Sequence, residues 1–223
     1  FKQKTAYEIM PSLVGSEMCI RDRSNTVIKK ILVATRNKSK MKELVELLRP
    51  LEVMPVSLDD LSIKEEIEET GITFTENAIL KANGYGELGG ITTIADDSGI
   101  EVDALGGAPG VYSARYGGEG LTDLDRNELL LKNLEKIPDH QLAARFRCVV
   151  AVWTPKDRTI TFAGKIEARI VRVPSGNNGF GYDPIFFYGP LNKTLAEIPS
   201  KEKDKISHRG HAVRMALEYI SKL

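Results

Sequence analysis

An α/β fold, with α+β as the neighbouring class, is predicted by three observations. Short apolar runs that read as buried strands alternate with segments carrying one apolar helical face. Helix starts carry explicit caps, the clearest being the capping box Thr73-x-x-Glu76. Two long strand-like stretches, 143–154 and 158–163, flank a Pro155-Lys156-Asp157 turn and predict a hairpin.

The elements follow in order. Ile31–Ala34 is a continuous apolar run, expected of a buried strand. A polar loop, Thr35-Arg36-Asn37-Lys38-Ser39-Lys40, leads into a helix with Met41, Leu44, Val45, Leu47 and Leu48 on one face, ended by Pro50. Strand, polar loop and helix N-terminus make a ready anion site, although Walker and dinucleotide glycines are missing. A strand is expected at 52–56, then the acidic run Glu65–Glu69. The next helix spans about Phe74–Leu88, with Asn77 and Lys81 on a shared face. After it, 91–95 reads as a strand that delivers Asp96-Asp97 to a turn, broken by Ser98-Gly99. A new strand is expected over 100–105 and a tight turn over 106–110. Thr122 or Asp123 caps a helix reaching about Lys136. Beyond the 143–163 hairpin, 165–173 is expected to form a third strand. A glycine-rich loop, 176–184, precedes a final strand at 185–188. The stretch 194–206 is charged, with 201–205 reading as solvated, and Ser207 caps a last helix over 208–223.

Composition limits the function. With 223 residues the chain can bury one good core or two small lobes. Equal numbers of basic and acidic residues, 31 each, argue against a nucleic-acid-backbone binder. No apolar run approaches the ~18 residues of a membrane span. Cys19 and Cys148 lack ligand spacing and read as free thiols of a reducing compartment, so a cytoplasmic location is expected. Residues 1–27 show no sustained periodicity and are expected to be an artefactual or disordered extension, with the domain spanning 28–223.

Adjacent carboxylates repel, so Asp96-Asp97 near a strand end calls for compensation. Oxygen-only ligands without histidine or cysteine point to Mg²⁺, with Mn²⁺ possible in its place. Ordinary turn chemistry is the bland alternative.

Five segments, in order, carry a resemblance. They are Thr35-x-Asn37-x-x-Lys40, Glu69-Thr70-Gly71-x-Thr73-Phe74-x-Glu76-Asn77-Ala78, Ala95-Asp96-Asp97-Ser98-Gly99, Phe180-Gly181-Tyr182-Asp183-Pro184 and Ser207-His208-Arg209. Together they resemble the inosine triphosphate pyrophosphatase family of Ham1/RdgB type, and Asp96-Asp97-Ser98-Gly99 with Ser113-Ala114-Arg115-Tyr116 resembles its bacterial branch most closely. The resemblance covers about residues 28–223. It implies a long mixed β-sheet flanked by helices, two lobes with a nucleotide cleft between them, and a homodimer. The implied reaction is Mg²⁺-dependent hydrolysis of ITP, dITP or XTP to the monophosphate and pyrophosphate.

Roles follow on that footing. Asp97 is the candidate general base and metal ligand, with Lys81 beside it in the catalytic pair. Glu68 is the leading second metal carboxylate, followed by Asp96 and Glu69; the ligand set stays open, because adjacent acids compete for one ion. Lys40, Lys81 and Lys203 are expected on phosphates, with the Thr35–Lys40 backbone cradling them. Phe180 is expected to stack on the purine, and Gly181, Tyr182 and Asp183 to shape that side. Arg209 is expected to donate to a purine O6, His208 to touch base or phosphate, and Ser98 to touch the ligand. A non-catalytic purine-nucleotide sensor is the competing reading, and the two aspartates favour the enzyme.

Overall fold

The computed structural model describes residues 20–21 and 27–223, so most of the expected 1–27 extension lies outside the described residues. The elements are β1 (Ile20–Arg21), β2 (Val27–Val33), α1 (Lys38–Leu48), β3 (Val53–Val56), α2 (Phe74–Gly89), β4 (Thr93–Val102), α3 (Asp123–Asn133), β5 (Ala143–Trp153), β6 (Ile160–Ile170), β7 (Phe186–Tyr188), β8 (Lys193–Thr194), α4 (Ser200–Ile206) and α5 (His208–Ile220). Among the described residues one mixed sheet of eight strands runs β1-β2-β4-β5-β6-β7-β8, with β3 also on β2. The β2–β3 and β2–β4 pairs are parallel and the rest antiparallel.

Helices cover both faces at the β2 end. Leu44 and Leu48 of α1 join Ala212, Val213, Ala216 and Ile220 of α5 over Ile31, Val33, Ile94, Cys148 and Val150. Across the sheet, Phe74, Ala78, Ala82 and Tyr85 of α2 pack on Leu32, Ala34, Ala95, Val149 and Ala151. Burial on both faces explains why β2 reads as an unbroken apolar run. A third cluster, at the far end of β4–β7, seats α3 through Leu130 and the C-cap residue Leu134. The capping box of α2 forms as expected: Glu76 N–H donates to Thr73 Oγ1 and Thr73 N–H to Glu76 Oε2.

Two strand breaks expected from the sequence are absent. Asp96, Asp97, Ser98 and Gly99 lie inside β4, which continues to Val102 before a short 3₁₀ turn at Asp103–Leu105. Likewise the strands expected at 158–163 and 165–173 are one strand, β6. Both glycines mark close approach rather than a turn. A Cβ on Gly99 would sit 2.4 Å from the Gly110 carbonyl oxygen, and one on Gly164 would sit 2.1 Å from that of His208. The charged 194–206 stretch holds the end of β8, a 3₁₀ turn and α4, in which Lys203 is buried against the solvated reading of 201–205.

Parting strands locate the cleft. β2 pairs with β4 only at Leu32↔Thr93 and Val33↔Ile94. Its chain then leaves through Thr35–Asn37 while β4 runs on. A crevice beyond the carboxyl end of a strand, where neighbours part, is where α/β sheets bind ligands.

Candidate active site

Successive strand residues point to opposite faces, and β4 applies this to its two acids. Asp96 lies on the α1/α5 face and Asp97 on the α2 face. Asp96 Oδ2 collects Lys40 Nζ at 3.2 Å, Arg209 Nε and Nη2 at 3.2 Å each, and the Ser98 hydroxyl at 3.2 Å. Burial alone would raise its pKa, but Lys40, Arg209 and Lys81 hold it far below the usual carboxylate range. The turn expected of this pair is therefore corrected: Asp96 lies within β4, paired with Lys40 and Arg209, and faces away from Asp97.

Asp97 is 5% exposed. Its Oδ2 accepts from Asn77 Nδ2 at 3.2 Å, and its Oδ1 lies 3.5 Å from Lys81 Nζ. Burial raises its pKa; Lys81 and Lys40 offset this in part, and Glu69 and Asp96 add to it. Lys81 Nζ is 2.8 Å from Glu69 Oε1. Its own pKa is raised, since Asp97, Asp96 and Glu69 outweigh the opposing effect of burial. Arg115 reaches Glu69 at 3.9 Å from the other wall. Asp97, Lys81, Glu69, Lys40 and Arg115 line a chamber of about 190 Å³.

The donors in this chamber suit one type of cation. Among the described residues no three His, Cys, Asp or Glu side chains converge. Asp97 and Glu69 do meet, at Lys81. Two carboxylates fit a hard ion that completes its shell with phosphate and water oxygens, and fit neither a calcium cage nor tetrahedral zinc. Glu68, the leading expectation for the second ligand, is exposed and does not line the chamber, whereas Glu69 does.

A second chamber, of about 270 Å³, opens on the α1/α5 face. Arg209 is 2% exposed; its Nη1 donates to Glu43 Oε2, and its Nη2 donates to Ser98 Oγ at 2.9 Å as well as to Asp96. Lys203 Nζ pairs with Asp183 and, at 3.0 Å, with Glu43. Those two acids keep its pKa raised against the effect of burial. Both cations stand over Phe180, at 5.2 Å for Lys203 and 5.6 Å for Arg209 from the ring centroid. His208 stacks on Phe146 at 4.8 Å, and burial followed by the neighbouring Arg209 and Lys203 pushes its pKa well down, so the imidazole is neutral.

Several expected residues turn out to hold the walls. Tyr182 donates its hydroxyl to the Ser113 carbonyl at 2.9 Å, and Asp183 Oδ2 accepts from Phe180 N–H at 3.0 Å. Gly181 is gripped from α3: its N–H donates to Asp123 Oδ2 at 2.7 Å, and its carbonyl accepts from Asn127 Nδ2 at 3.0 Å. Arg36 donates to the Ile63 and Glu65 carbonyls and so ties down the acidic loop. Thr35 Oγ1 accepts from Asn37 N–H, and Asn37 Oδ1 caps α1 by accepting from Ser39 and Lys40 N–H. Lys38 is exposed on the far side of α1, lining neither chamber. Asn37, Lys40, Ser98 and Ala114 line both chambers and form their common wall.

Sequence reasoning missed Glu43, Phe146, Asp123 and Asn127 as parts of the site. Glu43 had a usable signal, since it follows Lys40 by three residues and shares its helix face. The others converge from distant elements, and no local pattern marks them.

A family model described as the Ham1 family matches residues 31–219. The chain belongs to the Ham1 family. A relative named dITP/XTP pyrophosphatase from Desulforamulus reducens is 47% identical over 87% of this chain and 96% of its own length. One of the same name from Bacillus subtilis is 47% identical over 84% and 95%. Among solved structures, a HAM1 protein from Coxiella burnetii superimposes with a TM-score of 0.80 at 40% identity, covering 88% of this chain and all of that one. The mixed sheet flanked by helices is thus a Ham1 fold, and the bacterial resemblance read from Asp96–Gly99 and Ser113–Tyr116 holds.

Proposed function

We propose that the chain hydrolyses non-canonical purine nucleoside triphosphates, with dITP, ITP and XTP preferred, to the monophosphate and pyrophosphate. The observation that carries this is the pair of chambers sharing one wall. One holds an aromatic ring beneath two buried cations. The other holds a buried, proton-avid carboxylate beside a lysine. A nucleotide spanning both would lay its base on Phe180 and its phosphates along Lys40 toward Asp97. The naming of the relatives as dITP/XTP pyrophosphatases supports the same reading.

In this mechanism Asp97 takes the proton of the attacking water, and its raised pKa makes it a better base than an ordinary aspartate. Lys81 and Lys40 neutralise charge on the phosphates. Mg²⁺, held by Asp97 with Glu69, would supply further charge neutralisation on the phosphate oxygens. Arg209 Nη1 carries two N–H groups, of which Glu43 takes one, leaving a donor for O6 of hypoxanthine or xanthine. Adenine lacks that acceptor and would leave the donor unpaired, which is how large discrimination arises. A homodimer in the cytoplasm belongs to the same reading.

Product analysis with dITP, XTP, GTP and ATP, with and without Mg²⁺, tests the proposal. Pyrophosphate from dITP and XTP, dependent on Mg²⁺ and far slower from ATP and GTP, is the expected outcome. Orthophosphate as the product would defeat it. Tight dITP binding without turnover would favour a sensor.

A further inference from the structure

Asn77 is fully buried on α2, and both ends of its amide are committed. Oδ1 accepts from the Gly71 N–H at 2.8 Å, and Nδ2 donates to Asp97 Oδ2 at 3.2 Å. The first bond dictates the second. A flipped amide would set NH₂ against an N–H and oxygen against a carboxylate, so only one orientation satisfies both neighbours. Oδ2 of Asp97 is thereby fixed, and Oδ1 is left facing Lys81. Gly71 is required for this contact, because a Cβ there would lie 2.6 Å from Asn77 Oδ1.

The same amide seats the acidic loop. Three successive N–H groups, of Gly71, Ile72 and Thr73, donate to Asn77 Oδ1 and Glu76 Oε2 in the first turn of α2. Glu69, two residues before Gly71, closes the circuit through Lys81 back to Asp97. A ring therefore runs Asp97, Asn77, Gly71, Glu69, Lys81. We propose that Asn77 is a positioning residue that orients the Asp97 carboxylate and couples its orientation to the seating of the 65–71 loop. This rests on Asp97 being the base of the proposed hydrolysis. Asn77 itself touches no reacting atom.

The test compares Asn77→Ala with Gly71→Ala, which leaves Asn77 chemically intact but pushes its amide away. For both folded variants kcat on dITP should fall about 10- to 100-fold, the range for groups that orient a ligand or base, while KM stays within about twofold. Hydrogen exchange on the metal-free proteins gives a readout independent of turnover. Amides at 65–71 should exchange faster in Asn77→Ala, with α5 unchanged. A kcat within about threefold of the parent in either folded variant overturns the inference, as does unchanged exchange at 65–71. If Asn77→Ala does not fold, Gly71→Ala decides alone. Absence of turnover in the unaltered chain would instead defeat the functional reading, and the exchange comparison would still judge the coupling.

Discussion

Asp96 and Asp97 are neighbours on one strand and differ in almost everything else. Asp96 looks toward α1 and α5, where Lys40 and Arg209 converge on it, and its pKa is driven down. Asp97 looks toward α2, where one lysine and one amide meet it, and its pKa is driven up. The strand pleat sorts two identical side chains into a structural counter-ion and the proposed base. Charge balance on each face, rather than residue type, assigns the job.

That contrast can be broken in order of effect size. Asp97→Asn should lower kcat for pyrophosphate release by about 10³-fold or more, while the melting temperature holds or rises. Asp96→Asn should do the reverse in emphasis. Removing its charge leaves Arg209 and Lys40 without their shared partner, at a cost of about 3 kcal/mol, read as a melting temperature lower by roughly 6–12 °C. If both variants lost only activity, the two faces would not differ as described. Phe180→Ala should raise KM for dITP about tenfold at nearly constant kcat and weaken base discrimination, in line with the ~1–3 kcal/mol of base stacking. An unchanged substrate profile would count against the stacking role.

The smallest effect is in pH. Asp97 has a raised folded pKa, so ionising it costs the folded state at neutral pH, and that cost is relieved as pH falls through the folded pKa toward 3.8. The stability advantage of Asp97→Asn should therefore be largest near pH 7 and vanish below the ordinary carboxylate range. Asp96 has a depressed folded pKa. Its stabilisation is full above 3.8 and declines only as pH falls below that value. Melts of both variants against pH would show opposite trends.

Much of this was legible in the sequence. Apolar periodicity and caps placed β2, α1, α2, α3 and α5, and short motifs named most residues that line the chambers. Strand continuity was not legible. Gly99 and Gly164 look like breaks along the chain, yet each is a point where another segment lies against a running strand. The facing of Asp96 and Asp97 was hidden by the same error, since a turn has no fixed pleat. Lys203 sits in a charged run that reads as solvated, and only its partners Asp183 and Glu43, brought from other elements, show why it is buried. Glu68 and Glu69 are indistinguishable as letters, and the fold of their loop separates them.

The packing of α5 against α1 and β2 has a consequence for synthesis. Ile31, Val33, Leu44 and Leu48 are made first, and the helix that covers them begins only at His208, 160 residues after Leu48. At about 5–20 residues per second that face stays bare for roughly 10 s or more on the ribosome. The nascent chain thus carries an unshielded apolar surface through that interval, and a holdase that shelters such surfaces would raise the yield of native protein.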